Sequence, residues 1–173
     1  MKKFEIGYYI ENEFNKFYDR IMFPLRDING DFITHQGRTL VEDFKAKGLK
    51  KYQHGEYEKN KYLYGLYDVG RLIKEKGYVV LTEGPFDVLA AYEQGIPAVS
   101  GFGVTFSAHQ AMLTAMYTDK VYLAYDADEA GLGGAKTAKA NLKPFLLKVI
   151  DLKLKKDLSD LHMEDYNLCQ LIS

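Results

Sequence analysis

Apolar and polar positions follow two different rhythms along this chain. From Tyr78 onward, short continuous apolar runs alternate with helix-length segments. Tyr78-Val79-Val80-Leu81-Thr82 and Val121-Tyr122-Leu123-Ala124-Tyr125 are apolar almost throughout, the pattern of strands covered on both faces. Ala98 to Ser100 and Phe145 to Leu152 read as two further strands. Helices are predicted over 86–94, stopped by Gly95 and Pro97, and over about 107–117, capped by Ser107. Two more are predicted over about 130–142, ending before Pro144, and over about 159–171. Strands alternating with helices at these spacings predict an α/β fold with a parallel sheet flanked by helices.

Residues 1–77 are less regular and read as a small α+β subdomain. Met22 to Arg26 predicts a short edge strand, because Pro24 has no N–H to offer a central ladder. Asp27-Ile28-Asn29-Gly30-Asp31 contains Asn-Gly, the strongest two-residue hairpin signal, with Phe32 to His35 returning toward Gly37-Arg38. Residues 45–61 are Lys-rich, broken by Gly48 and Gly55, and read as a surface loop. A helix over 66–76 closes at Gly77. The expected division is 1–77 and 78–173.

Composition narrows the class without naming a chemistry. With 173 residues, 47% hydrophobic and 27% charged, the chain can bury a real core, which excludes a disordered or disulfide-stapled protein. Cys169 stands alone, so there is no internal disulfide and no cysteine set for a zinc ribbon; a reducing, cytoplasmic setting is expected. No apolar run approaches the ~20 residues of a membrane span, and the start lacks the apolar core of a signal peptide. Charge is uneven: 15 basic residues against 12 acidic in 1–77, but 8 against 12 in 78–173. Such an offset hints at a basic lobe for phosphates beside an acidic lobe for cations.

The acidic residues fall where an open parallel sheet binds its ligands, just beyond the carboxyl ends of strands. Glu83 and Asp87 follow the first strand, Asp126 and Asp128 the next central one, and Asp157 and Asp160 the last. An isolated Asp in such a place is ordinarily a helix cap. Three clusters on one edge repel one another unless cations compensate, and their hard oxygens suit Mg²⁺ or Mn²⁺. Rival motifs fail. The run from Asp126 lacks the twelfth-position acid of an EF-hand, because position 137 is Thr137. Gly133 to Thr137 has Ala135 where a P-loop needs Gly, and Gly101-Phe102-Gly103 lacks the third glycine of a dinucleotide fingerprint. His35, His54, His109 and His162 show no zinc spacing.

Glu83-Gly84-Pro85-Phe86-Asp87 after one apolar strand and Asp126-x-Asp128 after another resemble the Toprim domain, a Rossmann-like fold. Tyr62-Leu63-Tyr64-Gly65-Leu66-Tyr67, and Asp19 to Asp27 followed by Gly37-Arg38, resemble the DnaG-type DNA primases in particular. The resemblance spans most of the chain in the right order. It implies an acidic centre of Glu83, Asp126 and Asp128, with Asp87 and Asp157 as further metal ligands. The family's Asp-Pro-Asp reads Asp157-Leu158-Ser159 here, so Asp160 is the candidate to replace the missing acid. It further implies that Arg20, Arg26, Arg38, Lys51, Lys59 and Lys61 contact nucleotide and template phosphates.

The activity implied is a metal-dependent nucleotidyltransferase making short RNA primers on single-stranded DNA from NTPs. Glu83 would hold a metal ion or move the hydroxyl proton. Two other readings share the acids: a Toprim nuclease, and a non-catalytic nucleic-acid-binding module. The family's zinc ribbon and helicase-binding domain find no counterpart in this sequence, so a shortened core is expected, served by a separate zinc-ribbon domain or a replicative helicase. A monomer with no membrane association is expected.

Overall fold

Two four-stranded sheets carry the chain, and each belongs to its own compact unit, Met1–Tyr57 and Glu58–Ser173. The structure is a computed structural model and describes residues 2–10, 14–154, 156, 158–163 and 167–172.

The first sheet is antiparallel in the order β1 (Gly7–Tyr9), β2 (Arg20–Arg26), β3 (Phe32–Thr39), β4 (Tyr52–His54). The hairpin expected at Asn29-Gly30 forms, but over a five-residue loop, 27–31, and not as a two-residue turn. Gly30 takes φ 96°, and the Asp27 carboxylate accepts from the N–H groups of Asn29 and Asp31, closing the turn between β2 and β3. Two further expectations change. The strand carrying Pro24 is not an edge strand but lies between β1 and β3. Proline is tolerated because β1 pairs only with Arg20–Met22, so β2 runs past that neighbour before Pro24 is reached. The expected loop over 45–61 also contains β4, paired to Gln36–Arg38. Phe23 and Leu25 fill the core of this unit.

The second sheet is all parallel: β5 (Val79–Thr82), β6 (Ala98–Ser100), β7 (Lys120–Ala124) and β8 (Lys148–Asp151), in the order β6-β5-β7-β8. The chain leaves β5 toward β6 on one side and then places β7 on the other. β5 and β7 therefore meet at the point where the strand order reverses, the place where such sheets bind ligands. Their apolar runs are fully buried, as a strand between two helical layers requires. The connecting helices are α2 (Pro85–Glu93), α3 (Ala108–Ala115) and α4 (Glu129–Leu142), followed by α5 (Leu158–Met163). Beyond α5, the expected continuous helix gives way to a 3₁₀ turn over Leu168–Leu171.

The unit begins at Glu58 and so takes in α1 (Leu66–Lys76), ahead of the expected division at 77/78. Tyr64 exchanges two backbone hydrogen bonds with Ser100 of β6, and its ring stacks on Phe102 at 5.0 Å. Leu66, Val69 and Ile73 are buried along one face of α1, at helical spacing. Gly77 closes the helix at φ 72°, its N–H on the Ile73 carbonyl.

Candidate active site

Glu83 and Asp126 leave the carboxyl ends of neighbouring strands, and one hydrogen bond joins them: the Asp126 N–H donates to Glu83 Oε1 at 2.9 Å. The backbone of Glu83 is fixed from the other side. Its carbonyl accepts from the Gly103 N–H and the Ser100 hydroxyl, both at 2.7 Å. Asp128 caps α4, with Oδ1 accepting from the Gly131 N–H at 2.8 Å, and stays exposed. Gly131 is indispensable for space. A Cβ there would stand 2.2 Å from the Asp126 carbonyl and 2.7 Å from Glu83 Oε1, so only glycine lets the first turn of α4 close on both acids. The Glu83 charge, after burial, helps push the Tyr125 phenol above its ordinary range.

Asp87 is 8% exposed and turned inward: Oδ2 accepts from the Gly84 N–H and Oδ1 from the Ser159 N–H. It binds the start of α5 to the loop after β5. Both carboxylate oxygens of this expected metal ligand thus accept from backbone N–H groups. Asp160 lies exposed in the first turn of α5, and Asp157 is outside the described residues.

The expected cations divide sharply. Lys59 is half-buried, and burial lowers its pKa. Its Nζ sits 3.1 Å from where a Cβ on Gly103 would be, beside the loop that holds Glu83. Among the described residues it makes no ion pair. Gln110 puts it there: the buried amide donates to the carbonyls of Lys59 (3.1 Å) and Tyr62 (2.6 Å) and accepts from the Ser107 N–H. A cavity of about 300 Å³, lined by Lys59, Asn60, Thr105, Ser107 and Gln110 among others, opens at this point. Lys61 pairs with Glu58 in solvent.

In the first unit Arg20 is a correction. It is 4% exposed and donates to the carbonyls of Lys50 (2.9 Å) and Lys16 (3.1 Å), so it stitches the fold instead of meeting phosphate. Arg26 is held by the Gly30 carbonyl and the Glu5 carboxylate. Arg38 lies over the Tyr52 ring at 5.2 Å, with Nε and Nη1 buried and lacking hydrogen-bond partners among the described residues. Lys51 is exposed. Sequence reasoning missed Gly131, Gln110 and Ser100. Gly131 alone left a trace, three residues after Asp128 at the start of a helix.

Two family models match in succession: "DNA primase catalytic core, N-terminal domain" over residues 1–70 and "Toprim-like" over residues 80–162. The chain belongs to the DnaG-type primase family. It is 37% identical over 123 residues to the DNA primase of Aquifex aeolicus, covering 70% of this chain and 25% of that one. It is 35% identical over 150 residues to the DNA primase of Haemophilus influenzae, covering 84% and 25%. The chain therefore spans about a quarter of the length of these curated relatives. Among solved structures, the zinc-binding and RNA polymerase domains of the Aquifex aeolicus primase superpose with a TM-score of 0.81 at 29% identity, covering 95% of this chain and 43% of that one. A DnaG primase catalytic domain bound to single-stranded DNA gives 0.78 at 28%, covering 90% and 51%. No helix among the described residues is long and apolar enough to cross a membrane.

Toprim primases depend on metal ions, and the donor set of this chain fits that chemistry in one particular form. Among the described residues no three acid, cysteine or histidine side chains converge into a ready-made cage. What is present is Glu83 and Asp126 joined at the switch point, with Asp128 exposed two residues on. That suits a hard cation held by one or two carboxylates and completed by other oxygen ligands.

Proposed function

We propose that this chain is the catalytic core of a DNA primase, joining NTPs into short RNA primers on a single-stranded DNA template in the cytoplasm. The observation that carries the reading is the Asp126 N–H bond to Glu83 Oε1 at the junction of β5 and β7, within a chain of this family. In the reaction, the 3′-hydroxyl oxygen of the growing strand forms a bond to the α-phosphorus of an NTP. The bond to pyrophosphate breaks, and the hydroxyl proton leaves to solvent or an adjacent carboxylate. Such chemistry calls for alignment and charge neutralisation more than for an acid of unusual strength. Glu83, Asp126 and Asp128 would hold Mg²⁺, or Mn²⁺, which neutralises the charge developing on the phosphate.

The protein groups do the rest. Glu83 and Gly131 keep the two strand ends at one spacing. Lys59, half-buried beside Gly103 and making no ion pair among the described residues, attracts the triphosphate. Arg38 and Lys51 offer further charge to nucleotide or template, Arg26 less so because Glu5 already engages it. Contacts of this kind make binding salt-dependent. A separate zinc-ribbon domain or a replicative helicase is the partner expected to supply template selection, and the core itself acts as a monomer.

The test is primer synthesis by the purified chain on single-stranded DNA with labelled NTPs and Mg²⁺ or Mn²⁺, beside an Asp126→Ala/Asp128→Ala variant. Template-dependent oligoribonucleotides from the parent alone support the reading. Strand cleavage without NTPs would replace it with a nuclease.

A further inference from the structure

Phe102, in the loop between β6 and α3, holds φ at 57°, in the left-handed region where a side chain of its size is an outlier. Of the other described non-glycine residues at positive φ, Glu5, Asp19, Leu146 and Lys153, none is buried; Phe102 is. Its N–H donates to Ser100 Oγ at 3.0 Å, and that hydroxyl donates in turn to the Glu83 carbonyl at 2.7 Å. The next N–H, of Gly103, donates to the same carbonyl at 2.7 Å. The turn thus aims two donors at the backbone of one acid, whose side chain is held on its other side by the Asp126 N–H.

The same loop also carries the cation. Gln110 and Ser107 hold the carbonyls of Lys59, Asn60 and Tyr62. Tyr64 pairs with Ser100 through two backbone bonds, and its ring stacks on Phe102. Lys59 Nζ then reaches Gly103, where φ is 133° and an added Cβ would stand 3.1 Å from it. α4 walls the loop in, since a Cβ on Gly134 would stand 2.7 Å from the Val104 carbonyl.

We propose that Ser100 and Phe102 are positioning residues, which fix the backbone of Glu83 against Lys59 by holding the 100–103 turn in its left-handed form. The inference rests on the polymerase reading for what that spacing serves, the alignment of triphosphate and acid. Left-handed strain persists only where the surroundings over-determine it, and it gathers at functional sites. Here the surroundings are the Ser100 hydroxyl, the Tyr64 ring and α4. A relaxed turn would swing the Gly103 N–H off the Glu83 carbonyl and move the backbone on which Lys59 rests, so both groups would shift together. Packing alone needs the Phe102 ring, whereas positioning needs its φ.

The test follows hydrogen exchange at the Asp126 amide, which reports the bond to Glu83, with the amides of β7 as an internal standard. ATP binding and primer extension are measured in parallel on the full chain. Ser100→Ala is expected to speed exchange at Asp126 about tenfold relative to β7, and to weaken ATP binding and kcat by several-fold. Phe102→Val keeps an apolar side chain, but its branched Cβ opposes the left-handed region, so it should behave like Ser100→Ala. Phe102→Gly forfeits the ring yet accepts φ 57°, and should stay within about threefold of the parent on all three readouts. Exchange that speeds equally across β7 in Ser100→Ala marks a merely structural hydroxyl and overturns the proposal. So does a larger effect in Phe102→Gly than in Phe102→Val, which assigns the residue to packing, and so does unchanged ATP affinity in Phe102→Val. A parent that extends nothing, while exchange at Asp126 still answers selectively to Ser100→Ala and Phe102→Val, keeps the positioning role and refutes the polymerase reading instead.

Discussion

The two units of this chain treat their charged residues in opposite ways. In the first, folding consumes cations: Arg20 is buried under carbonyls, and Arg26 is shared between Gly30 and Glu5. In the second, backbone N–H groups hold the acids Glu83, Asp87 and Asp128 at strand ends, and Lys59 is left half-buried with no ion pair among the described residues. The difference follows from sheet type. A parallel sheet delivers every strand end to the same edge, so a side chain just past an apolar run has a known address. An antiparallel strand gives its residues alternate faces, and what each one meets depends on partners far along the chain.

The largest effect should come from the acids of the second unit. Asp126→Ala/Asp128→Ala is expected to cut primer synthesis by about two to three orders of magnitude, far more than the roughly 1 kcal/mol in urea unfolding that a lost helix cap costs. Asp128 is exposed, although its loss as a cap will show in α4. Next comes Gly131→Ala, where the added methyl has no room beside the Asp126 carbonyl. A loss of about 1–3 kcal/mol in urea unfolding is expected, together with most of the activity. An activity loss without a stability loss would mean that α4 shifts to accept the methyl.

Arg20 sharpens the contrast from the other unit. Arg20→Ala should destabilise the chain by about 1–3 kcal/mol, because it strands buried carbonyls, yet leave the salt dependence of DNA binding unaltered. Lys51→Ala should do the reverse, lowering the slope of log K against log salt by about one and sparing the urea midpoint. A salt-slope change in the Arg20 variant would return that residue to the nucleic-acid surface.

The smallest effect is one of pH. Burial lowers the pKa of Lys59, so its charge is complete below that value and is lost as pH rises through it, earlier than for an exposed lysine. ATP affinity should therefore begin to fall at a lower pH in the parent than in Lys59→Arg, whose guanidinium stays charged. Parallel pH profiles for the two would remove Lys59 from the phosphate site.

Most of the second unit was legible because its elements carry local signals: buried strands as apolar runs, Ser107 as a cap, and Gly77 as a stop. The acidic edge could be read for the same reason, through position after a strand. The parts that were not legible depend on distant partners. Nothing near Gln110 announces that its amide will hold carbonyls at positions 59 and 62. Nothing near Asp87 says that its second oxygen will be used by Ser159. Pro24 misled because a proline excludes a central ladder only where both neighbours extend that far.

The strand order also governs when the centre can exist. Glu83 and Asp126 are 43 positions apart, and the bond between them closes only after the chain has run through α2, β6 and α3 and returned to pair β7 with β5. Parallel pairing cannot be reached by a short turn, and contacts of such long sequence separation form slowly. The pair therefore cannot form before β7 has been synthesised and laid beside β5. A nascent chain that ends before β7 carries Glu83 without the backbone N–H that fixes its carboxylate.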